Sequence, residues 1–174
     1  MIKEKSRKLN HNLIIKIFLL THLGYNRVIL NMIRGNMKVV IGVVGNDIHV
    51  VANRLIDISL QSRGYEVFNL GVNTYLEEFI DAVIETDSKV LLISSLNGEA
   101  EGWCRDLLVL KDKYKLDDVV FVIGGNLSVG EGTESQIVPQ FEGYGFDLVF
   151  HQKDLMEGLD TLHDFVQKKF GGSK

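Results

Sequence analysis

The chain has 174 residues, 45% of them hydrophobic and 24% charged, with a net charge of −4, the size and balance of one soluble globular domain with its own core. A single cysteine, Cys104, excludes an internal disulfide framework and fits a reducing cytoplasm, and with five scattered histidines it leaves no zinc-type Cys/His cluster. Residues 1–36 carry seven Lys and Arg against Glu4 alone, which leaves −10 on residues 37–174 and argues against nucleic acid as a partner of that acidic body.

Residues 1–36 read as an N-terminal extension, disordered or lying ahead of the true start, with a short amphipathic helix as the structural alternative. A basic start does precede the apolar run Leu13–Leu20, but Lys16 interrupts it and no small-x-small cleavage pattern follows, which speaks against a signal peptide. The run is also well short of the roughly 20 apolar residues that span a bilayer. The domain is expected to occupy residues 37–174, and no membrane partner is expected.

Met37 opens the first strand, and Val39-Val40-Ile41-Gly42-Val43-Val44 is a near-continuous β-branched run, as in a strand buried on both faces. The spacing of Val51, Leu55, Ile58 and Ser59 predicts a helix over 50–63 that Gly64 ends. Glu66–Leu70 is a second strand, and Phe79, Ile80, Val83 and Ile84 place a helix over about 76–85. Val90–Ser94 is a third strand, followed by one helix running through Trp103, Leu107, Leu108 and Leu110. Val119–Ile123 is a fourth, ending in Gly124-Gly125-Asn126. After a longer loop comes a helix with Pro139 near its first turn, where a missing N–H costs little. Asp147–Phe150 is a fifth strand, and Leu155, Leu159, Leu162 and Val166 mark a final helix over about 155–169.

This alternation implies a flavodoxin-like, doubly wound α/β domain: a five-stranded parallel sheet with right-handed crossovers and helices on both faces. The expected strand order is 2-1-3-4-5, with the ligand crevice above the β1/β3 switch point. Chemistry therefore belongs in the loops after the first, third and fourth strands: Gly45-Asn46-Asp47-Ile48-His49, Ser94-Ser95-Leu96-Asn97-Gly98 and Gly124-Gly125-Asn126-Leu127-Ser128-Val129-Gly130. All three are small, polar and glycine-rich, which suits a large polar ligand lying against backbone.

Other occupants of such a fold fail on their residues. There is no G-x-x-x-x-G-K-[ST] phosphate loop and no G-x-G-x-x-G after the first strand. A flavin phosphate loop would be rich in Thr and Ser where this one is acidic, and a phospho-accepting receiver would need an aspartate where Ser94-Ser95 stands. What remains is Asp47-x-His49. A neutral imidazole ligates metal well, and its second ring nitrogen usually donates to a carboxylate that fixes its tautomer. On those three residues alone, Asp47 would equally serve as a helix cap and His49 as a solvated loop residue.

The wider segment Gly42–Asn53 resembles the D-x-H-x-x-G segment of cobalamin (vitamin B12)-binding domains. Ser94-x-Leu96 resembles their S-x-L, and Gly124-Gly125 their G-G, in order and at the right strand ends. The likeness covers nearly all of residues 37–170. Within that family it looks most like the small subunit of glutamate mutase (methylaspartate mutase), echoed by Ser94-Ser95-Leu96, Gly124-Gly125-Asn126 with Val129-Gly130, and Gly143-Tyr144-Gly145-Phe146-Asp147. The sequence departs at Ala52, where the family has glycine, and at Asn46, where the mutase subunit has Ser.

The resemblance implies adenosylcobalamin as cofactor, with His49 as axial ligand to cobalt in place of the cofactor's own benzimidazole and Asp47 tuning it. It places the cofactor against Asn46, Asp47, Ile48, His49 and Val50, against Ser94, Ser95 and Leu96, and against Gly124, Gly125, Asn126, Leu127, Ser128, Val129 and Gly130, with Ser94 bonding the displaced base. It implies no catalytic residue in this chain. It makes the chain one part of a hetero-oligomeric isomerase, inactive without a large barrel-type mutase subunit that binds substrate, interconverting L-glutamate and threo-3-methylaspartate. The alternatives are a corrinoid methyl carrier of a methyltransferase system, whose usual four-helix cap residues 1–36 are too short to form, or a non-catalytic cobalamin-binding module.

Overall fold

The computed structural model describes residues 36–130 and 133–171; the expected N-terminal extension lies outside the described residues. The strands are β1 (Met37–Val43), β2 (Tyr65–Asn69), β3 (Val90–Ser95), β4 (Val120–Gly125) and β5 (Leu148–His151). The helices are α1 (Val50–Ser62), α2 (Leu76–Thr86), α3 (Ala100–Cys104), α4 (Leu107–Tyr114), α5 (Glu134–Gly143) and α6 (Leu155–Phe170). All strand pairs are parallel, in the order β2-β1-β3-β4-β5. This is the doubly wound architecture that the alternation of strand runs and helical stripes predicts.

The period of two in a strand sorts its side chains between two layers. Val39, Ile41, Val90, Leu92, Val120 and Val122 pack with Ile56 of α1 and Leu159, Leu162 and Val166 of α6. Their neighbours Val40, Leu91, Ile93, Phe121 and Ile123 pack on the opposite face with α2, α3, α4 and α5. Ser94 follows Leu92 in phase and points toward the α1/α6 layer; Ser95 follows Ile93 and points the other way. Gly124 and Gly125 divide in the same manner.

Three local expectations are corrected. The helix expected to run through Trp103 to Leu110 is two helices, broken at Arg105-Asp106, with buried Cys104 and Leu107 on either side of the break. Pro139 lies inside α5 instead of in its first turn. That helix starts earlier, where Thr133 forms a capping box with Gln136, and the bond lost at Pro139 would have gone to exposed Ser135. In α1 the apolar stripe of Val51, Leu55 and Ile58 is exposed, and the buried positions are Asn53, Ile56, Asp57 and Leu60.

A polar network explains the orientation of α1. Asp57 accepts hydrogen bonds from Arg54 at 2.8 Å, Gln61 at 2.5 Å and Asn69 at 3.2 Å. The Asn53 amide donates to Asn69 Oδ1 at 2.8 Å. Asp57 and the Asn53 amide nitrogen are paired in this way, though Asn53 Oδ1 has no partner among the described residues, and these bonds let α1 turn its polar positions onto β2.

Candidate functional site

Register brings the three loops to one edge of the sheet. Val43 lies beside Ser94, Ser94 and Ser95 beside Gly124 and Gly125, and these beside Phe150 and His151. The first loop leaves β1 through Gly45, whose φ of +66° suits glycine and whose missing Cβ leaves room for the Trp103 indole lying against it. Trp103 thus sits under the first loop, with the Tyr75 ring 5.6 Å away between centroids.

Asp47 lies at the switch point between β1 and β3 and is only 1% exposed. Its Oδ2 accepts from the backbone N–H of Leu96 at 2.5 Å and of Asn97 at 3.2 Å, so it ties the first loop to the loop after β3. Its Oδ1 accepts from the His49 backbone N–H at 3.0 Å and stands 2.5 Å from His49 Nδ1. Asp47 is therefore no side-chain cap for α1, whose N-terminal boundary residue is His49 itself. Burial pushes the Asp47 carboxyl upward, but the hydrogen bonds from Leu96 and from the side chain and backbone of His49 outweigh it. The net effect holds it below the ordinary aspartate value of 3.8.

An ionised Asp47 fixes the proton of a neutral His49 ring on Nδ1 and leaves Nε2 with its lone pair. The His49 side chain is 52% exposed while that of Asp47 is fully buried. The pair thus presents one anchored nitrogen donor to the space above the sheet. Among the described residues no three His, Cys, Asp or Glu side chains gather as a metal-ligand set. A single anchored imidazole of this kind suits a metal that carries its other ligands with it.

Beneath this loop a cavity of about 150 Å³ opens between the sheet and helices α1 and α6. Ala52 and Ile56 of α1, Leu92 and Ser94 of β3, Gly124 and Gly125 of β4, and Leu159 of α6 contribute to its walls. It is large enough for a flat aromatic ring: an apolar cavity of about this volume takes up benzene. Gly125, at φ +124°, leaves no room for a side chain, because a Cβ there would overlap the Ser95 carbonyl. Gly124 is less constrained, with Phe150 at 3.4 Å from the same added atom.

The other expected site residues divide by direction. Asn46, Ile48 and Val50 are exposed around His49, and Val129 and Gly130 are exposed on the loop after β4. Leu96 lines the cavity. Ser95 is fully buried on the far face and donates to Asn97 Oδ1 at 3.2 Å. Leu127 is buried in the α5-side core, and its N–H donates to Nδ1 of buried His151 at 3.3 Å. Asn126 is held through its carbonyl by the Gly98 N–H at 3.1 Å and through its side chain by Gln152 at 3.2 Å. Ser128 buries its hydroxyl without a partner among the described residues.

Sequence reasoning missed Ile56, Leu92, Val122, Phe150, Gly158 and Leu159, which complete the cavity walls. They come from five separate elements, and each reads locally as ordinary core. Only their shared phase with Ser94 across the sheet connects them to the site.

Residues 37–149 match the family model of the B12 binding domain. The glutamate mutase sigma subunit of Carboxydothermus hydrogenoformans is 43% identical over 117 residues, covering 66% of this chain and 83% of that protein. That of Treponema denticola is 39% identical over 114 residues, covering 66% and 82%. Among solved structures, a cobalamin-binding protein from Desulfitobacterium hafniense shares the fold with a TM-score of 0.58 at 22% identity. That match covers 77% of this chain and 59% of the other.

Proposed function

The chain belongs to the B12-binding domain family and, within it, to the glutamate mutase sigma subunits, and from that premise we propose that it is the cobalamin-binding small subunit of an adenosylcobalamin-dependent glutamate mutase. The observation that carries this reading is the buried Asp47 carboxylate holding His49 Nδ1 at the β1/β3 switch point and also holding the N–H of Leu96, which lines an apolar cavity. The donor set fits the cofactor: one oriented imidazole would hold the metal, and the interior slot beside Ser94 would take a flat ring of the cofactor.

Each residue then has a physical task. His49 would offer Nε2 to cobalt, and Asp47, anchored by the Leu96 and Asn97 N–H groups, would keep the ring in one tautomer. Ser94 stands in the cavity wall with its hydroxyl available to the base. Gly125 and the backbone from Asn126 to Gly130 allow the tail and the corrin edge to approach main chain closely. The cofactor supplies homolysis of its cobalt–carbon bond and hence the radical chemistry of carbon-skeleton rearrangement, while protein supplies position and electronics.

Substrate binding falls to the partner. The described loops after β1, β3 and β4 contain no Arg or Lys to pair with the two carboxylates of glutamate, for which bidentate guanidinium contacts are the strong solution. Arg54 is exposed on α1 and Arg105 at the break between α3 and α4, and Arg54 is already paired with Asp57. Radical chemistry supplied by the cofactor would also need shielding from water. A large, barrel-type subunit closing over His49 and Val129 meets both needs.

The test mixes the purified chain with adenosylcobalamin and L-glutamate, with and without a large mutase subunit, and follows 3-methylaspartate. Turnover is expected only in the complete mixture. Turnover by the chain alone would contradict the division of labour, and methyl transfer to a thiol or folate acceptor without isomerisation would move the protein to the carrier class.

A further inference from the structure

The turn at the end of β5 holds the loop after β4 from outside the site. His151 lies beside Gly125 in the sheet register, and Gln152 takes a left-handed φ of +52°, uncommon for a residue other than glycine. The Gln152 N–H donates to the Gly125 carbonyl at 2.8 Å, and its side-chain amide donates to Asn126 Oδ1 at 3.2 Å. A third bond runs from the Leu127 N–H to Nδ1 of His151 at 3.3 Å, on a residue only 5% exposed. Resting on the reading that Asn126–Gly130 lie against the cofactor, we infer that His151 is the positioning residue of this loop and holds it only while its ring is neutral.

The donor and acceptor roles of the ring carry the inference. Nδ1 accepts from Leu127, so the neutral ring carries its hydrogen on Nε2. Nε2 is buried without a hydrogen-bond partner among the described residues. A second proton can add only at Nδ1, where it turns the acceptor into a donor facing the Leu127 N–H. The resulting cation has no acceptor on either nitrogen, and a buried charge without a partner is costly. The charged groups of the surrounding elements do not compensate. β4 and the loop to Gly130 carry none. Helix α5, packed on β5, turns Ile137 and Phe141 inward and leaves Glu134 and Glu142 exposed. Beyond the loop after β3, Glu99 and Glu101 are exposed and accept from Asn97 and Tyr144. After β5, Lys153 pairs with Glu157 and Asp154 caps α6. Uptake of a proton therefore requires the ring to leave Leu127, and the loop loses one of the three bonds that fix it. Mildly acidic pH, where an imidazole in water becomes charged, releases the loop, and neutral pH restores it.

The experiment compares wild type with His151→Asn, whose side-chain oxygen can take the place of Nδ1 as acceptor but cannot be protonated. In the unloaded chain, nitrogen-15 resonance of the imidazole reports its proton, and amide hydrogen exchange reports protection at Leu127. Between about pH 7.5 and 5.5 the wild type should gain the proton and lose about tenfold or more of that protection, since one linked proton is worth up to about tenfold per pH unit. His151→Asn should keep its protection. Leu127 staying protected at about pH 5.5 in wild type, with the ring charged or neutral, overturns the inference whatever the variant does. An equal loss of protection in His151→Asn overturns the assignment to His151. Absorbance titration with cob(II)alamin over the same range should show affinity falling about tenfold more in wild type than in His151→Asn, the response of Asp47 and His49 being common to both. An equal fall in both, with the difference in protection present, leaves the role of His151 standing and overturns the reading that this loop holds the cofactor.

Discussion

Asp47 Oδ1 and His49 Nδ1 lie 2.5 Å apart, and the second oxygen of the same carboxylate accepts the backbone N–H groups of Leu96 and Asn97. One buried side chain thus orients the exposed imidazole and also bolts the loop after β1 to the loop after β3. Each role has its own measurable consequence.

Asp47→Asn keeps the shape but replaces one acceptor oxygen with an amide that faces N–H donors. It should cost about 1–3 kcal/mol of stability, the range for buried groups left unpaired, and reduce cob(II)alamin affinity by about tenfold, as outer-shell partners of ligating histidines do. His49→Gly should reduce affinity further. Urea unfolding and absorbance titration measure the two effects, and an affinity loss larger for Asp47→Asn than for His49→Gly would contradict the assigned roles.

The depressed acidity of Asp47 also sets a pH signature. A group whose folded pKa lies below its unfolded value contributes stability that is fully present above the unfolded value, about 3.9, and is lost as pH falls through the folded value. The stability difference between wild type and Asp47→Asn should therefore be largest near neutrality and shrink below about pH 4. A difference that grows on acidification would mean that the carboxylate is not the stabilised form.

Gly125 and Gly71 separate steric need from backbone preference. Both have positive φ, +124° and +83°, but a Cβ at Gly125 would overlap the Ser95 carbonyl, whereas nothing lies within 4 Å of one at Gly71. Gly71→Ala should cost about 1 kcal/mol from the left-handed backbone alone. Gly125→Ala should cost about 3 kcal/mol or more, because β3 must move as well. Equal urea midpoints for the two variants would show that the β3–β4 edge yields easily.

Cys104 should be chemically silent in the native protein. It is fully buried beside α4, and burial pushes its thiol up to about 12, so the reactive thiolate is scarce at neutral pH. A chromogenic disulfide reagent should label it only in denaturant. Rapid labelling of the folded chain would indicate opening of the α3–α4 break.

Much of this was legible in the sequence, and the misses have physical causes. The buried strands announce themselves as runs of Val, Ile and Leu because parallel strands are covered on both faces, and that places Asp47, Ser94 and Gly124 at one edge. The facing of α1 was not legible. Val51, Leu55 and Ile58 form a periodic apolar stripe, yet Asn53 and Asp57 are the residues turned inward, since Asn69 on β2 supplies their hydrogen bonds. The cavity was hidden for a related reason: Phe150 and Leu159 are distant in sequence from Ser94 and meet it only through sheet register. Asp-x-His could not by itself separate a helix cap from a ligand pair. The bonds to Leu96 and Asn97 remove the helix-cap reading.

The measurement that bears most directly on the central claim is electron paramagnetic resonance of the chain loaded with cob(II)alamin, comparing protein grown with nitrogen-15 histidine and with natural histidine. Ligation by His49 predicts that the axial superhyperfine pattern changes from that of nitrogen-14 to that of nitrogen-15 on labelling, and that this response disappears in His49→Gly. A pattern unchanged by histidine labelling, with the benzimidazole nitrogen still on cobalt, would contradict it.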